Sequence, residues 1–197
     1  MINKTMLNDL RIALLLMSLS IFNIACADVH VERPIEWGTL IHKTNNFYRV
    51  SSSVYRSKQP SKEFIPLLKQ HNIDIILNLR VSNKDKILFK DLPFQLKHVP
   101  IRTYAMSKEN LLDVMKVIQD AHQQNKNVLI HCYHGSDRTG ATIAMYRIIF
   151  ENWSTENALH EMKTGGYGFH PIWSNLEKLF SPKNIKWIQQ ELSNPST

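Results

Sequence analysis

The sequence predicts an α/β fold, a central and mostly parallel sheet flanked by helices. Three observations carry that reading. Apolar runs such as Ile73–Leu79 and Val128–Ile130 are of strand length and show no polar alternation, as expected of strands covered on both faces. These runs alternate along the chain with longer segments whose apolar residues recur at helical spacing. Finally, 197 residues of ordinary globular composition suit a single domain with one proper core.

The chain opens on "MINKTMLNDLRIALLLMSLSIFNIACADVH". Lys4 and Arg11 supply a positive start, residues 12–25 are largely apolar, and Ala25-Cys26-Ala27 is a small-x-small cleavage signal. The apolar stretch is short for a membrane span and carries a signal peptide's flanks. Residues 1–27 are therefore expected to be a signal peptide, and residues 28–197 a mature domain exported to the periplasm or beyond. An uncleaved anchor is the competing reading; acylation at Cys26 is disfavoured by Asn23 and Ile24 before it. Cleavage removes Lys4, Asp9 and Arg11, taking the formal charge from +7 to +6. It also leaves Cys132 as the sole thiol, so no disulfide framework is available. The basic residues are scattered, which implies no nucleic-acid motif, no membrane partner after cleavage, and a mild preference for anionic substrates.

The elements follow in order. "NFYRVSSSVYRSKQPS" reads as two strands, Phe47–Val50 and Val54–Arg56, joined by a serine turn. Ser61 is placed to cap a helix carrying Phe64, Leu67 and Leu68, with Glu63 in its first turn and Pro66 early within it. Ile73–Leu79 is a buried strand and Leu96–Ile101 a shorter one. Ser107 opens a helix with Leu111, Met115, Ile118 and His122 on one face. Asn127–Cys132 is the third buried strand. Residues 138–150 form a helix whose Gly140, Ala141 and Ala144 permit close packing, and residues 154–163 another, stopped by Gly165 and Gly166. "PIWSNLEKLF" and "NIKWIQQEL" read as two terminal helices, the first opening with Pro171.

The chemistry lies between the third buried strand and its helix, in "HCYHGSDRTG" (residues 131–140). Ligands of α/β sheets bind beyond the carboxyl ends of strands, and Cys132 stands there. A glycine, Gly135, sits where the loop must turn sharply or approach a ligand closely. A curled loop of Tyr133, His134, Gly135, Ser136 and Asp137 aims backbone N–H groups at one centre, to which the helix N-terminus adds positive charge. Arg138 offers a planar fork for two phosphate oxygens. The same field favours the thiolate of Cys132, a nucleophile for phosphorus, and the Thr139 hydroxyl can donate to it. Positioning and charge stabilisation are what phosphoryl transfer needs.

"HCYHGSDRTG" resembles the protein tyrosine phosphatase signature His-Cys-x5-Arg-[Ser/Thr]-Gly. The short chain, "VYRSKQP", "IILNLR" and "AMYRIIFENWSTENALHEMKTGGYG" resemble the exported dual-specificity phosphatases of Gram-negative bacteria. The resemblance implies a protein-tyrosine-phosphatase fold, no metal, no cofactor, and hydrolysis of phosphotyrosine, with phosphoserine or phosphothreonine as further substrates. It implies that Cys132, Arg138 and Thr139 are catalytic and that His131 orients the loop and favours the thiolate.

One part of the pattern is missing. The family's general acid is an Asp on a loop before the Cys, and here "VPIRTYAMSKEN" carries Met106 in its place. Glu109 and Asp113 lie nearby within the predicted helix, where solvated surface charge explains them. Asp137 has two readings: a general acid, as at the same position in some phosphoinositide phosphatases, or a carboxylate holding loop N–H groups. The departure leaves room for an inositol-phosphate or phosphoinositide substrate and for a weakly active phosphate-binding module. A sulfurtransferase also uses a Cys in a curled loop, but Arg-Thr-Gly suits phosphate better. A metal site from His131, Cys132 and His134 lacks enough ligands. His134 is expected to contact substrate or to pack. Arg80 and Lys84 line the mouth or are solvated, Tyr104 and Tyr167 form pocket walls or core, and the four tryptophans pack.

Overall fold

The computed structural model describes residues 33–194, so the expected signal peptide lies outside the described residues. Six strands form one sheet in the order β1-β2-β3-β6-β4-β5: β1 (Thr39–His42), β2 (Phe47–Arg49), β3 (Val54–Ser57), β4 (Ile75–Asn78), β5 (Gln95–His98) and β6 (Val128–His131). β1, β2 and β3 pair antiparallel, while β3-β6-β4-β5 are parallel. The sheet is mostly parallel, as expected.

The apolar runs divide their side chains between two cores, because successive residues of a strand face opposite ways. Val128, Ile130, Ile75 and Leu77 join a core with α3 (Lys108–Gln123), α4 (Asp137–Phe150) and α7 (Pro182–Ser193). Leu129, Ile76, Phe64 and Leu68 join a second core on the other face, beneath α1 (Ile65–Gln70). Each fully buried Leu, Ile or Phe contributes about 1.5–3 kcal/mol, which offsets ordering of the central strands. At their carboxyl ends the parallel strands turn polar in one row: Ser57, His131, Asn78 and His98 are register partners. The functional loop starts from this row.

α4 is buried almost all round, with Asp137 and every residue from Thr139 to Ile148 buried. It lies against α5 (Thr155–Thr164), and a Cβ on Gly140 would stand 3.1 Å from Met162 Cγ, so the small residue sets this approach. Ser107 and Asn110 form a capping box on α3, and Ser154 accepts from Asn157 N–H at the start of α5.

Several elements differ from expectation. β1 precedes the first expected strand; its residues are mostly exposed, so no apolar signal marks it. Ser61 makes no backbone cap: its hydroxyl donates to Glu63 Oε2 at 2.6 Å. Pro66 falls in the first turn of α1, where its missing N–H has no intrahelical acceptor to lose. α2 (Asp85–Leu88) is a single turn within a charged stretch. The segment from Pro171 is no continuous helix; α6 (Ser174–Glu177) begins three residues later and passes into a 3-10 turn at Lys178–Phe180.

Candidate active site

Cys132 directly follows β6 and is 2% exposed. Gly135 N–H donates to its Sγ at 3.3 Å, so the loop curls back over the sulfur. That curl needs a left-handed residue: Gly135 has φ +74°, and a Cβ there would lie 2.4 Å from Ser57 O at the end of β3. Gly135 O in turn accepts from Arg56 Nη2 at 2.7 Å. Arg56 is 1% exposed beneath the loop, its guanidinium 3.6 Å from the centre of the Tyr167 ring. Burial pulls the Arg56 pKa down, against the opposing pull of Tyr167, Glu161 and Cys132.

Arg138 stands in the first turn of α4. Its Nη1 donates to Ile101 O at 3.1 Å and, more loosely, to Leu79 O at 3.5 Å. These carbonyls lie beyond the ends of β5 and β4, so they hold the guanidinium at the carboxyl edge of the sheet. Among the described residues, Arg138 Nε and Thr139 Oγ1 are buried without a protein partner. The first N–H groups of α4 likewise lack intrahelical acceptors. Gly135 N–H is on the sulfur, and these unpartnered donors follow within seven residues of Cys132 along the chain, a set that suits an anion with several oxygens.

His131 is buried behind the loop. Its Nε2 lies 2.7 Å from Asp85 Oδ2 and its Nδ1 3.3 Å from Cys132 O, so both ring nitrogens face oxygen acceptors. Asp85 also accepts from Gln59 Nε2 at 3.0 Å. Burial raises the Asp85 pKa, but the hydrogen bond and charge of His131, with Gln59 and Arg80, outweigh it and hold the carboxyl below its ordinary range. The pair fixes the imidazole from the side away from the loop, so Asp85 positions His131, and His131 positions the backbone of Cys132.

Asp137 is 8% exposed. Its carboxylate accepts from His170 N–H at 2.9 Å, contacts His170 Nδ1 at 3.0 and 3.1 Å, and accepts from Ser136 Oγ–H at 3.2 Å. It therefore joins the signature loop to the segment after α5. Tyr133 and His134 are exposed at the rim, Tyr133 against the Arg80 guanidinium at 5.2 Å, whereas Ser136 is buried. Met106 is buried, and the chain has no Asp or Glu from residue 92 to residue 108. Glu109 is an exposed first-turn charge, its carboxyl held low chiefly by the Ser107 hydroxyl; Asp113 is exposed on α3. Tyr104 is exposed, whereas Tyr167 is buried in the core, the second of its two expected places.

Three residues at this site carry no sequence signal of their own. Asp85 stands in "NKDKILFKD", indistinguishable from a solvated charge run. His170 follows a glycine-rich turn, 33 positions from the carboxylate it meets. Arg56 sits in an expected strand, and only its complete burial marks it out.

A curled loop over a buried cysteine, an arginine at the start of the next helix and a mostly parallel sheet define the class. Residues 54–180 match the dual specificity phosphatase catalytic domain, and the chain belongs to that family. It is 30% identical over 142 residues to the dual specificity protein phosphatase TpbA of Pseudomonas aeruginosa, a match covering 72% of this chain and 64% of that relative. The crystal structure of P. aeruginosa TpbA superposes with a TM-score of 0.74 at 26% identity, covering 83% of this chain and all of the other. A Cys-to-Ser form of TpbA in complex with phosphotyrosine superposes equally well, at 25% identity.

Proposed function

We propose that this protein is a cysteine-dependent phosphatase that hydrolyses phosphotyrosine through a phospho-cysteine intermediate, exported to the periplasm or beyond behind residues 1–27. The observation that carries the reading is the Gly135 N–H on Cys132 Sγ at 3.3 Å, with Arg138 in the next turn of chain. Family membership and the phosphotyrosine complex of TpbA support the substrate class. The leader's charge and apolar pattern support export.

In the first step the Cys132 thiolate attacks phosphorus, the P–O bond breaks, and its electron pair leaves on the phenolic oxygen. Arg138 and the loop N–H groups hold the remaining phosphate oxygens, whose charge they match more closely as the transition state forms. Water then attacks the phospho-cysteine, and the electrons of the S–P bond return to sulfur. The Thr139 hydroxyl donates to the sulfur as it departs.

Turnover of a phosphotyrosine peptide and of para-nitrophenyl phosphate tests this. Cys132→Ser is expected to abolish both, and Arg138→Lys to cost about 10²–10³-fold, because a point charge replaces a fork. Wild-type protein inert on both substrates, or a Cys132→Ser form that still turns over, removes the proposal. Phosphoserine peptides and inositol phosphates in the same assay set the breadth of substrate.

A further inference from the structure

An aryl phosphate leaves as a phenol only if a proton reaches its oxygen, and the segment that should supply it lacks a carboxylate. Met106 is buried there, and no Asp or Glu occurs between residues 92 and 108. Asp85, the buried carboxylate behind the loop, is engaged with His131 and Gln59. Asp137 accepts hydrogen bonds from Ser136 and His170. A proton donor must come from elsewhere.

We propose that His170 is the general acid, held by Asp137 at the rim of the signature loop. The inference rests on the phosphatase reading above and adds a catalytic residue to it. Three observations support it. His170 is fixed twice to one carboxylate, through its backbone N–H at 2.9 Å and its Nδ1 at 3.0 Å. Its side chain is nonetheless 53% exposed, so Nδ1 is anchored while the far edge of the ring reaches solvent. The segment is also clamped onto the loop: Asn46 Nδ2 donates to both His134 O and Tyr167 O, each at 3.0 Å. The His134 ring, 6.0 Å from that of His170, places His170 beside a loop residue two positions from Cys132.

The arrangement fixes the direction of proton flow. With Nδ1–H donating to Asp137, the imidazolium presents Nε2–H as its remaining donor. As the P–O bond breaks, Nε2–H passes its proton to the phenolic oxygen and the ring becomes neutral. Its Nδ1–H stays on Asp137, so the lone pair is on Nε2. In the second step Nε2 takes a proton from the attacking water, which restores the imidazolium. Proton and charge balance over the two steps, and no other reactant is needed. The titratable groups shown against the ring are Asp137, at 3.0 Å from Nδ1, and His134, with its ring centre 6.0 Å away.

The test compares leaving groups. Wild-type, His170→Gln and Asp137→Asn proteins are assayed on phenyl phosphate, a poor leaving group, and para-nitrophenyl phosphate, which departs without help. His170→Gln is expected to lose on the order of 10²-fold on phenyl phosphate and at most about threefold on para-nitrophenyl phosphate. Asp137→Asn should show the same selectivity with a smaller loss, since the imidazole remains. An equal loss by His170→Gln on both substrates would mean that it only supports the fold, and no loss would mean that it does nothing; either result overturns the inference. A selective loss in Asp137→Asn with none in His170→Gln would put the proton on Asp137 and overturn it too. If wild-type protein turns over neither substrate, the phosphatase reading itself has failed, an outcome distinct from the others.

Discussion

Replacing Gly135 by Ala tests whether the curl of the signature loop positions the chemistry. Two costs follow from the structure. The first is conformational: at φ +74°, a side chain in the left-handed region costs about 1–2 kcal/mol. The second is steric and concerns backbone. The new Cβ would lie 2.4 Å from Ser57 O, 2.5 Å from Ser57 C and 2.7 Å from Lys58 N, at the end of a buried central strand that has no room to yield. Ordinary contact begins near 3.4 Å, so the loop must move by roughly 1 Å, and a displacement of that size costs on the order of 10²-fold in rate. It would also stretch the Gly135 N–H contact to Cys132 Sγ and the bond from Arg56. Gly166→Ala is the matched control. Its φ is +75°, yet the nearest atom to the new Cβ is Arg33 Nη1 at 3.9 Å. Both variants should melt a few degrees lower from the shared strain, but only Gly135→Ala should lose kcat/KM on para-nitrophenyl phosphate. If the two variants keep similar activity, loop position does not limit the reaction and the reasoning is refuted.

Two further predictions concern buried charge. Glu161 accepts from Gly38 N–H, Tyr167 O–H and Arg147 Nε and Nη2 at 2.7–3.1 Å, so Glu161→Ala leaves the buried Arg147 with the half-buried Glu151 as its carboxylate partner, beside the carbonyls of Val50 and Glu36. It should cost about 3–5 kcal/mol in urea unfolding, and a change below about 1 kcal/mol would contradict it. Burial raises the pKa values of Glu161 and Asp85, but Arg147 and His131 respectively outweigh it, so both are lowered on folding. Their stabilising contribution is then complete above the unfolded carboxylate pKa, near 4, and is lost as pH falls through the lower folded values. Asp85→Asn should flatten this acid limb of the unfolding curve and reduce kcat by roughly 10-fold, as expected when a positioning partner of a catalytic group is lost. An unchanged acid limb in Asp85→Asn would sever that link.

The parallel sheet and the signature loop were legible because each is written locally. Ile73–Leu79 and Val128–Ile130 are largely apolar because both faces are covered, and Cys132, Gly135 and Arg138 fall within seven residues of one another. What escaped is written across the chain. β1 is an exposed edge strand with no core face to pattern it. Asp85 and His170 look like surface charge and loop until the fold brings them 46 and 33 positions along the chain to His131 and Asp137. Asp137 itself had two readings in sequence, and the structure supplies the partner, His170, that both left out. Tyr167 had two readings because aromatic residues near a signature suit pocket wall and core alike; its burial over Arg56 decides for the core.

In the proposed reaction Cys132 Sγ receives the phosphoryl group. Rapid acid quench of the enzyme during turnover of para-nitrophenyl phosphate, followed by mass spectrometry of its peptides, reads this directly. One added phosphoryl group is expected on the peptide containing Cys132, absent in Cys132→Ser. Steady turnover with that peptide unmodified, or with the group on His131 or His134, would contradict it.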